Sequence, residues 1–390
     1  MNSRERIQLA LDHKEADRIP FDLGATALTG IHDIAYQNLR RELGLPDRES
    51  VIWDARQQIV VLDEDVRSLF PADARPAKPE AEASENATIQ TDDTGGRHFY
   101  DEWGIGWRKP PQDGFYYDMF HHPLQGEITL DDVRRYPFPD PVRAERFIGM
   151  QENARHVAHD LKLAVTLEGF CSGILEMTMW MRGYVDALTD LATGADAFLY
   201  LLDSVLELKM QYWEKALATV GADVDVVLEA DDMAGQNSTI FSPNTYRRYI
   251  KPRHQKLFDF IHQRTRAKIF FHSCGAVRKI IPDLIEAGVD ILNPVQVSAA
   301  DMDSAQLKRD FGSQLTFWGG GVDTQGAFGQ SSAQSAEVEA DVCKRIEDLA
   351  PGGGFVFATV HNIQANVHPQ NILAMWQAYR ANCQYRQGKD

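Results

Sequence analysis

A histidine and a cysteine two positions apart, His272 and Cys274, are the residues of this chain whose types and spacing best suit chemistry. They lie at the end of the apolar segment KIFFHSC, which is typical of a buried strand, and a glycine follows them. Residues i and i+2 of a strand point to the same side, so an imidazole and a thiolate can reach one point together. Both groups bind a borderline-soft cation such as zinc. With His361 at the end of another apolar segment, the pattern predicts a metal centre.

Three protein ligands and an open position would make this centre catalytic, because structural zinc sites are closed. A zinc ion there can bind a thiol as thiolate, or polarise an ether or phenol oxygen as a Lewis acid. Glu168, Glu229 and Asp232 each lie at the end of an apolar segment and are candidates for a fourth ligand or a general acid. Of these, Glu229 and Asp232 are the predicted catalytic residues. Cys171 is a spare candidate ligand.

Seven apolar segments, each followed by helical sequence, must position these residues. They lie at 18–24, 163–169, 223–232, 268–275, 289–296, 315–323 and 352–361. Apolar strands without strict alternation, each followed by an amphipathic helix, indicate a parallel sheet buried on both faces. With an eighth strand expected within residues 30–125, the count favours a (β/α)8 barrel, or TIM barrel, over an open doubly wound sheet.

Polar side chains collect where these segments end. Active sites of such barrels lie at the carboxyl ends of the strands, so the barrel would bring these side chains into one mouth. Any one of them alone could instead cap a helix or bind a loop amide. The residues expected to contact a substrate are Glu168, Asp231, Gln236, Asn293, Gln296 and Asp323.

Residues 50–125 have a different character and mix short apolar runs with Pro, Gly and Asp. RHFYDEWGI and GWRK within this stretch could form a hairpin. We interpret the stretch as an insertion near the barrel mouth, which makes residues 1–390 a single barrel domain. Four of its aromatic residues either form a lid that excludes water or pack onto the barrel; they are Trp103, Trp107, Tyr116 and Tyr117.

The charge and hydropathy of the chain exclude two classes of partner. The net charge is −17 and no Lys/Arg run supplies a basic face, which argues against nucleic-acid binding. No apolar stretch approaches 18 residues, so no membrane span is expected. The first residues are charged and lack an apolar signal core, and the four cysteines are too sparse for a disulfide scaffold. These features predict a cytoplasmic protein, and the acidic surface would favour a partner with a basic docking face.

Several longer segments resemble the uroporphyrinogen decarboxylase superfamily, and within it the zinc-dependent, corrinoid-linked methyltransferases. The resemblance runs from SRERIQLALDHKEADRIPFDLG to HPQNILAMWQAY, and it is most specific in EADDMAGQNSTIFSPNTYRRYIKPRH, KIFFHSCGAVRKIIPDLIEAGVDILNPVQ, LTFWGGGVDTQ and PGGGFVFATVHNIQ. It implies a (β/α)8 barrel with the site in its mouth and zinc held by H-x-C and a later cysteine. His272 and Cys274 match the first two ligands, whereas His361 occupies the place of the third. The V-H-N-I-Q string resembles a branch associated with O-demethylation of methoxylated compounds.

The resemblance implies a methyltransferase that moves a methyl group between a small substrate and a corrinoid cofactor. The chain has no D-x-H-x-x-G corrinoid motif, so the corrinoid is expected on a separate protein that docks over the mouth. Methoxyaromatics, methylamines and methylthiols all remain open as substrates, and a homodimer is also left open.

Two other functions stay open on the sequence alone. A decarboxylase of a porphyrin-like polycarboxylate is disfavoured because the family's arginine-rich N-terminal segment reads PFDLGATALTG here, with no arginine between Arg18 and Arg40. Decarboxylases of this family also need no metal, which leaves the H-x-C motif without a purpose. The third possibility is a barrel that binds a ligand without turnover.

Overall fold

A single curled sheet of seven parallel strands forms the centre of the molecule. The computed structural model describes residues 1–78, 89–93, 95–110 and 115–385. Neighbouring strands of the sheet follow one another in the chain, as expected for repeated βα units. In spatial order they are Ala74–Pro76, Ala164–Glu168, Val226–Ala230, Lys268–His272, Ile291–Asn293, Thr316–Trp318 and Phe355–Val356.

The extended segment around Phe21 closes this sheet into a barrel. Phe21 bridges Phe357 in parallel orientation, and the Asp22 amide donates to the Phe357 carbonyl at 2.8 Å. On the other side, the Asp73 amide donates to the Phe21 carbonyl at 2.8 Å. The segment therefore lies between the first and last strands, and the prediction of a TIM barrel is confirmed. The additional strand expected within residues 30–125 is Ala74–Pro76.

Helices follow most of the barrel strands and surround the sheet. The longest, Asp196–Val220, packs against Ile174–Arg182 and Lys251–His262. The α-helices of four or more residues are Ser3–Leu11, Asp33–Glu42, Glu64–Leu69, Leu130–Arg134, Met150–Arg155, Ile174–Arg182, Tyr184–Thr193, Asp196–Val220, Lys251–His262, Ile281–Ala287, Ser304–Phe311, Ser335–Leu349 and Pro369–Asn382. Within the parts of the chain that the structure describes, no helix has both the length and the apolar character needed to cross a membrane.

Two hydrophobic cores show which way each strand residue points. The barrel interior contains Leu228, Phe270 and Trp318, and the helix Ser3–Leu11 covers it with Ile7 and Ala10. The larger core lies between sheet and helices and takes the alternate residues of each strand, among them Val165, Leu167, Val227, Ile269, Phe271, Leu292 and Phe317. Because side chains alternate along a strand, the core that contains one residue shows which way the residue two positions later points.

Four short strands between residues 90 and 121 form a second, antiparallel sheet. Its strands are Gln90–Thr91, Arg97–Tyr100, Gly106–Lys109 and Asp118–His121. Arg97–Tyr100 pairs with Gly106–Lys109, as expected from the two sequence runs of the hairpin. The aromatic side chains Trp103, Trp107 and Tyr117 are buried, in a cluster that also contains Met177 and Leu201 of the barrel helices. Ile52–Asp54 and Ile59–Val60 form a further small antiparallel pair.

Candidate metal centre

The structure brings His272, Cys274 and His361 together at the barrel mouth. One ligand atom from each lies within 4.8 Å of the others. The Cys274 Sγ is 3.3 Å from the His272 Nε2, and the rings of His272 and His361 lie 5.5 Å apart between centroids. A nitrogen–sulfur–nitrogen set of this kind suits zinc. The residues present therefore fit a soft divalent cation.

Local backbone structure explains how these three residues meet. His272 ends the strand Lys268–His272 on the side of Phe270, which faces the barrel interior. Gly275 has φ +86°, and a Cβ there would lie 2.6 Å from the carbonyl oxygens of Ala234 and Gly235. Only glycine allows the chain to turn this closely behind Cys274. His361 has φ +65°, a left-handed conformation that costs a non-glycine residue roughly 1–3 kcal/mol and therefore needs support from the surrounding structure.

Asn293 holds the first histidine in an orientation suited to a metal. The His272 Nδ1 donates to the Asn293 Oδ1 at 2.5 Å, and the Asn293 Nδ2 donates to the Trp318 carbonyl at 2.6 Å. Because the carbonyl can only accept, it fixes the rotation of the amide and thereby the tautomer of His272. The Nε2 then carries the lone pair. Asn293 was predicted to contact a substrate, but the structure places it behind a candidate ligand.

The surroundings of the three candidate ligands are negative and buried. Burial, then the carboxylates of Asp232 and Glu176, raise the pKa of the Cys274 thiol well above its usual value. Burial and the neighbouring His272 lower the pKa of His361 to about 4, so this imidazole is neutral at pH 7. A neutral imidazole is the form that binds a metal, and a divalent cation would offset the negative surroundings and favour the thiolate.

The three carboxylates at the end of the strand Val226–Ala230 point in different directions. Asp232 shares the inward side of Leu228; its Oδ1 accepts from the Cys274 amide at 2.7 Å and lies 3.8 Å from the His272 Nε2. Glu229 and Asp231 share the side of Val227 and face the helices. Asp232 is therefore the carboxylate placed to become a fourth ligand.

Glu229 and Asp231 are engaged by protein groups. The Glu229 carboxylate lines the cavity wall but forms a buried ion pair with Lys209 at 2.9 Å and accepts from the Trp213 indole at 2.5 Å. Asp231 is fully buried, accepts from the Glu176 amide at 2.6 Å and contacts the His254 Nε2 at 2.7 Å. It stabilises the start of the helix Ile174–Arg182 and lies outside the described lining of the cavity.

Of the remaining predicted substrate contacts, one faces the cavity and three lie in the surrounding loops. Glu168 faces the cavity, and its Oε1 accepts from the Ala27 amide at 2.7 Å. Gln296 accepts from the Gly275 amide at 2.7 Å and donates to Gln236 at 2.6 Å. Asp323 binds the Ser298 hydroxyl at 3.2 Å. Gln236, Gln296 and Asp323 thus belong to the loops around the Cys274 turn, and none is among the described residues that line the cavity.

A cavity of about 1050 Å³ opens beside the candidate ligands. It is lined by His272, His361 and Asp232 at one end and by residues of the antiparallel sheet at the other. Cys171 lies in its wall, where burial raises the thiol pKa to about 12, and it is not part of the three-residue cluster. The aromatic lining consists of Trp53, Tyr100, Trp107, Tyr116, Tyr117, Phe170, Trp180 and Tyr184.

Glu176 is a cavity residue that the sequence did not predict. Burial, then the charge of Asp232, raise its pKa to about 8, and it bonds to the Ser172 hydroxyl. It lies in the first turn of the helix Ile174–Arg182, eight positions after Glu168 and beyond the strand end itself. The sequence did show a carboxyl residue shortly after a barrel strand. Its direction could not be predicted, because it depends on how the helix packs against the barrel.

A family model described as uroporphyrinogen decarboxylase (URO-D) matches residues 121–382, two thirds of the chain. The chain therefore belongs to the uroporphyrinogen decarboxylase family. A uroporphyrinogen decarboxylase from Geobacter sulfurreducens is 20% identical over 265 residues, which cover 66% of this chain and 71% of the relative. Among solved structures, a methyltransferase from Methanosarcina mazei has the same fold, with a TM-score of 0.64 and 16% identity over 98% of this chain and 99% of the other.

Proposed function

We propose that the protein is a zinc-dependent methyltransferase that moves a methyl group between a small methylated substrate and a corrinoid carried on a separate protein. One observation carries the proposal: His272, Cys274 and His361 converge at the edge of a large cavity in the barrel mouth. Zinc bound there would supply Lewis-acid polarisation of an oxygen, or activation of a thiol. The fold of the Methanosarcina mazei methyltransferase is consistent with this function.

In this proposal the chain contributes binding, orientation and a proton. With a metal bound, Asn293 would keep the His272 Nε2 lone pair directed at it, and Asp232 would complete the ligand set in the absence of substrate. The aromatic walls bind the apolar part of the substrate and exclude water. A corrinoid protein would reach the substrate from the open side of the mouth.

Glu176 is suited to protonate the heteroatom that loses its methyl group. When the carbon–heteroatom bond breaks, the electron pair stays on the heteroatom, which then needs a proton. With its pKa raised to about 8, Glu176 holds that proton on its carboxyl group at neutral pH. Glu229 is less suited because the Lys209 ammonium and the Trp213 indole already occupy its oxygens.

The charge of the cavity argues against a polycarboxylate substrate. Its described lining contains nine acidic residues, of which Glu176 holds a proton and Glu229 is paired with Lys209. Seven carboxylates remain against four basic residues, Arg56, Lys78, Arg143 and Arg146. Arg146 contacts the Glu102 carboxylate at 2.5 Å and Arg56 contacts Asp54 at 2.9 Å, so these cations have protein partners. A porphyrin-like substrate with several carboxylates would be repelled.

Metal analysis tests the proposal. Wild-type protein purified without chelators should contain a single zinc ion per chain, and Cys274→Ala should lose most of it. Cys343→Ala is the matched control, because Cys343 lies on the helix Ser335–Leu349, outside the three-residue cluster, and should keep the metal. Loss of metal should also abolish methyl transfer between a corrinoid and methoxyaromatic, methylamine or methylthiol substrates.

Two results would contradict the proposal in different ways. Wild type and Cys274→Ala that are equally free of metal would remove the zinc centre. Zinc binding and ligand-induced shifts in Tm without transfer to any corrinoid would instead favour a binding barrel.

A further inference from the structure

We propose that Gln57 and Tyr116, from the segment before the regular βα repeats, are positioning residues that complete the metal centre by fixing the tautomer of His361. They act through Asn362, which follows His361 in the chain. The inference rests on the proposed function because it treats His361 as a metal ligand. It adds a task for residues 50–125 that neither the site nor the sequence assigned.

The contacts converge on a single amide oxygen. The Asn362 Oδ1 accepts from the Tyr116 hydroxyl at 2.9 Å and contacts the His361 Nδ1 at 3.0 Å. The Asn362 Nδ2 donates to the Gln57 Oε1 at 2.6 Å. Asn362 is completely buried, so water does not compete for these bonds. With the oxygen turned toward His361, the Nδ1 must carry the proton, and the Nε2 keeps the lone pair that a metal needs.

The two positioning residues are themselves held together. The Tyr117 amide donates to the Arg56 carbonyl at 2.8 Å, which ties the neighbours of Tyr116 and Gln57 to each other. The His32 Nε2 contacts the Phe115 carbonyl at 2.9 Å and ties the same segment to the start of the helix Asp33–Glu42. His361 has a left-handed backbone and lies outside the barrel strands, so it lacks the strand pairing that orients His272. The bonds of Gln57 and Tyr116 to Asn362 form a clamp, and this clamp supplies the missing orientation of His361.

The opposite rotation of the Asn362 amide would reverse every one of these bonds. The Nδ2 would then donate to the His361 Nδ1, and the His361 Nε2 would carry the proton and could not bind a metal. In the metal-free protein, His361 is therefore the Nδ1–H tautomer.

Nitrogen NMR of the metal-free protein at neutral pH tests this statement directly, with His361→Gln used to assign the signals. We expect the Nδ1–H tautomer in wild type, and a shift toward Nε2–H in Asn362→Leu. An Nε2–H tautomer in wild type, or no change in Asn362→Leu, would overturn the clamp. This measurement needs no zinc, so it separates the clamp from the proposed function: the expected tautomer in a wild type that binds no zinc would leave the clamp standing and remove the methyltransferase proposal.

Zinc affinity measured with a competing chelator provides the second readout. Asn362→Leu should weaken binding by about 10–100-fold, as loss of an outer partner does at other sites. Tyr116→Phe should weaken it less, because the Gln57 bond remains. Tyr117→Phe is the matched control: its buried hydroxyl has no partner among the described residues, and the affinity should not change. Equal affinity in wild type, Tyr116→Phe and Asn362→Leu would contradict the role of the clamp, as would equal losses in Tyr116→Phe and Tyr117→Phe.

Discussion

The side of the strand on which a polar residue lies decides whether it reaches the candidate metal centre. His272 follows Phe270 by two positions and Asp232 lies on the side of Leu228, so both reach the barrel interior. Glu229 follows Val227 by two positions and points toward the helices, where Lys209 neutralises it. Asp232 and Glu229, three positions apart, therefore have separate tasks, one at the candidate metal centre and one in the wall that supports it.

Glu176 gives a prediction about stability and pH. The folded protein raises the pKa of Glu176 from 4.5 to about 8, mainly through burial, so the folded state retains a proton that the unfolded chain releases. The stabilisation from this proton is complete below the unfolded pKa and is lost as pH rises through the folded pKa. Glutamine cannot ionise. Glu176→Gln should therefore become progressively more stable relative to wild type between about pH 5 and about pH 9.

Urea unfolding of the metal-free proteins across this range measures the effect. Glu339→Gln is the control, because Glu339 is exposed on the helix Ser335–Leu349 and its replacement should give a curve parallel to wild type. If Glu176→Gln also runs parallel to wild type, the carboxyl group is not held protonated in the folded state.

Strand direction explains how much of the site could be predicted from the sequence. The i, i+2 spacing of His272 and Cys274 predicted that they meet, and the structure brings their ligand atoms to within 3.3 Å. The same alternation, applied to Glu229 and Asp231, would have directed both away from the candidate metal centre. Asn362 and Glu176 could not be predicted, because their directions depend on an irregular turn and on helix docking.

At the scale of helices and strands, closure of the barrel depends on the buried carboxylate of Asp73. Asp73 precedes the strand Ala74–Pro76, and its oxygens accept from Arg6 at 2.7 Å, Arg18 at 2.7 Å and the Phe21 amide at 2.8 Å. These partners come from the first helix and from the closing segment. Because that segment pairs with its neighbours over only a few residues, side-chain bonds must fix its position.

Asp73→Ala should therefore weaken the fold strongly. Asp73 is fully buried, and its removal leaves the largely buried guanidinium of Arg6 short of a partner. Removing one member of a buried ion pair costs about 3–5 kcal/mol. The free energy of unfolding, measured with urea, should fall by this amount. Asp12→Ala is the control, since Asp12 is exposed and forms only a 3.6 Å pair with Lys14; its effect should stay within about 0.5 kcal/mol. Similar values for the two variants would show that the Asp73 contacts do not close the barrel.

The apolar character of the strands, and not their length, decided which of them the sequence could predict. Long apolar runs followed by helices gave the strands Ala164–Glu168, Val226–Ala230 and Lys268–His272. The strand Ala74–Pro76 contains a proline and lies in the run ADARPAK, so no apolar segment marks it. The closing segment at Phe21 makes a single bridge, and its role follows from the completed ring. The segment 18–24 was predicted as a strand, whereas the strand Ala74–Pro76 could be located only in the tertiary structure.

At the scale of the whole molecule, an excess of acidic residues acts on both the surface and the cavity. The chain has 57 Asp and Glu against 40 Lys and Arg. Many basic side chains are used in ion pairs, such as Arg40 with Asp63 and Arg345 with Asp341. The net charge that is left is negative, so bringing the carboxylates together in the folded state costs free energy through their mutual repulsion. The same field would attract a partner with a basic face.

Screening this repulsion should stabilise the protein. Raising the NaCl concentration shortens the Debye length from about 10 Å at 0.1 M toward about 3 Å at 1 M, which weakens interactions between distant surface charges more than those in buried pairs. Since like charges predominate, Tm should rise with moderate salt; a change on the order of 1 kcal/mol corresponds to about 1–2 °C in a chain of this size. Thermal unfolding in the presence of a chelator measures the shift without a contribution from metal binding. KCl at equal ionic strength should give the same curve, because screening does not depend on the identity of the cation. A Tm that falls with either salt would mean that attractive surface pairs outweigh the net charge of −17.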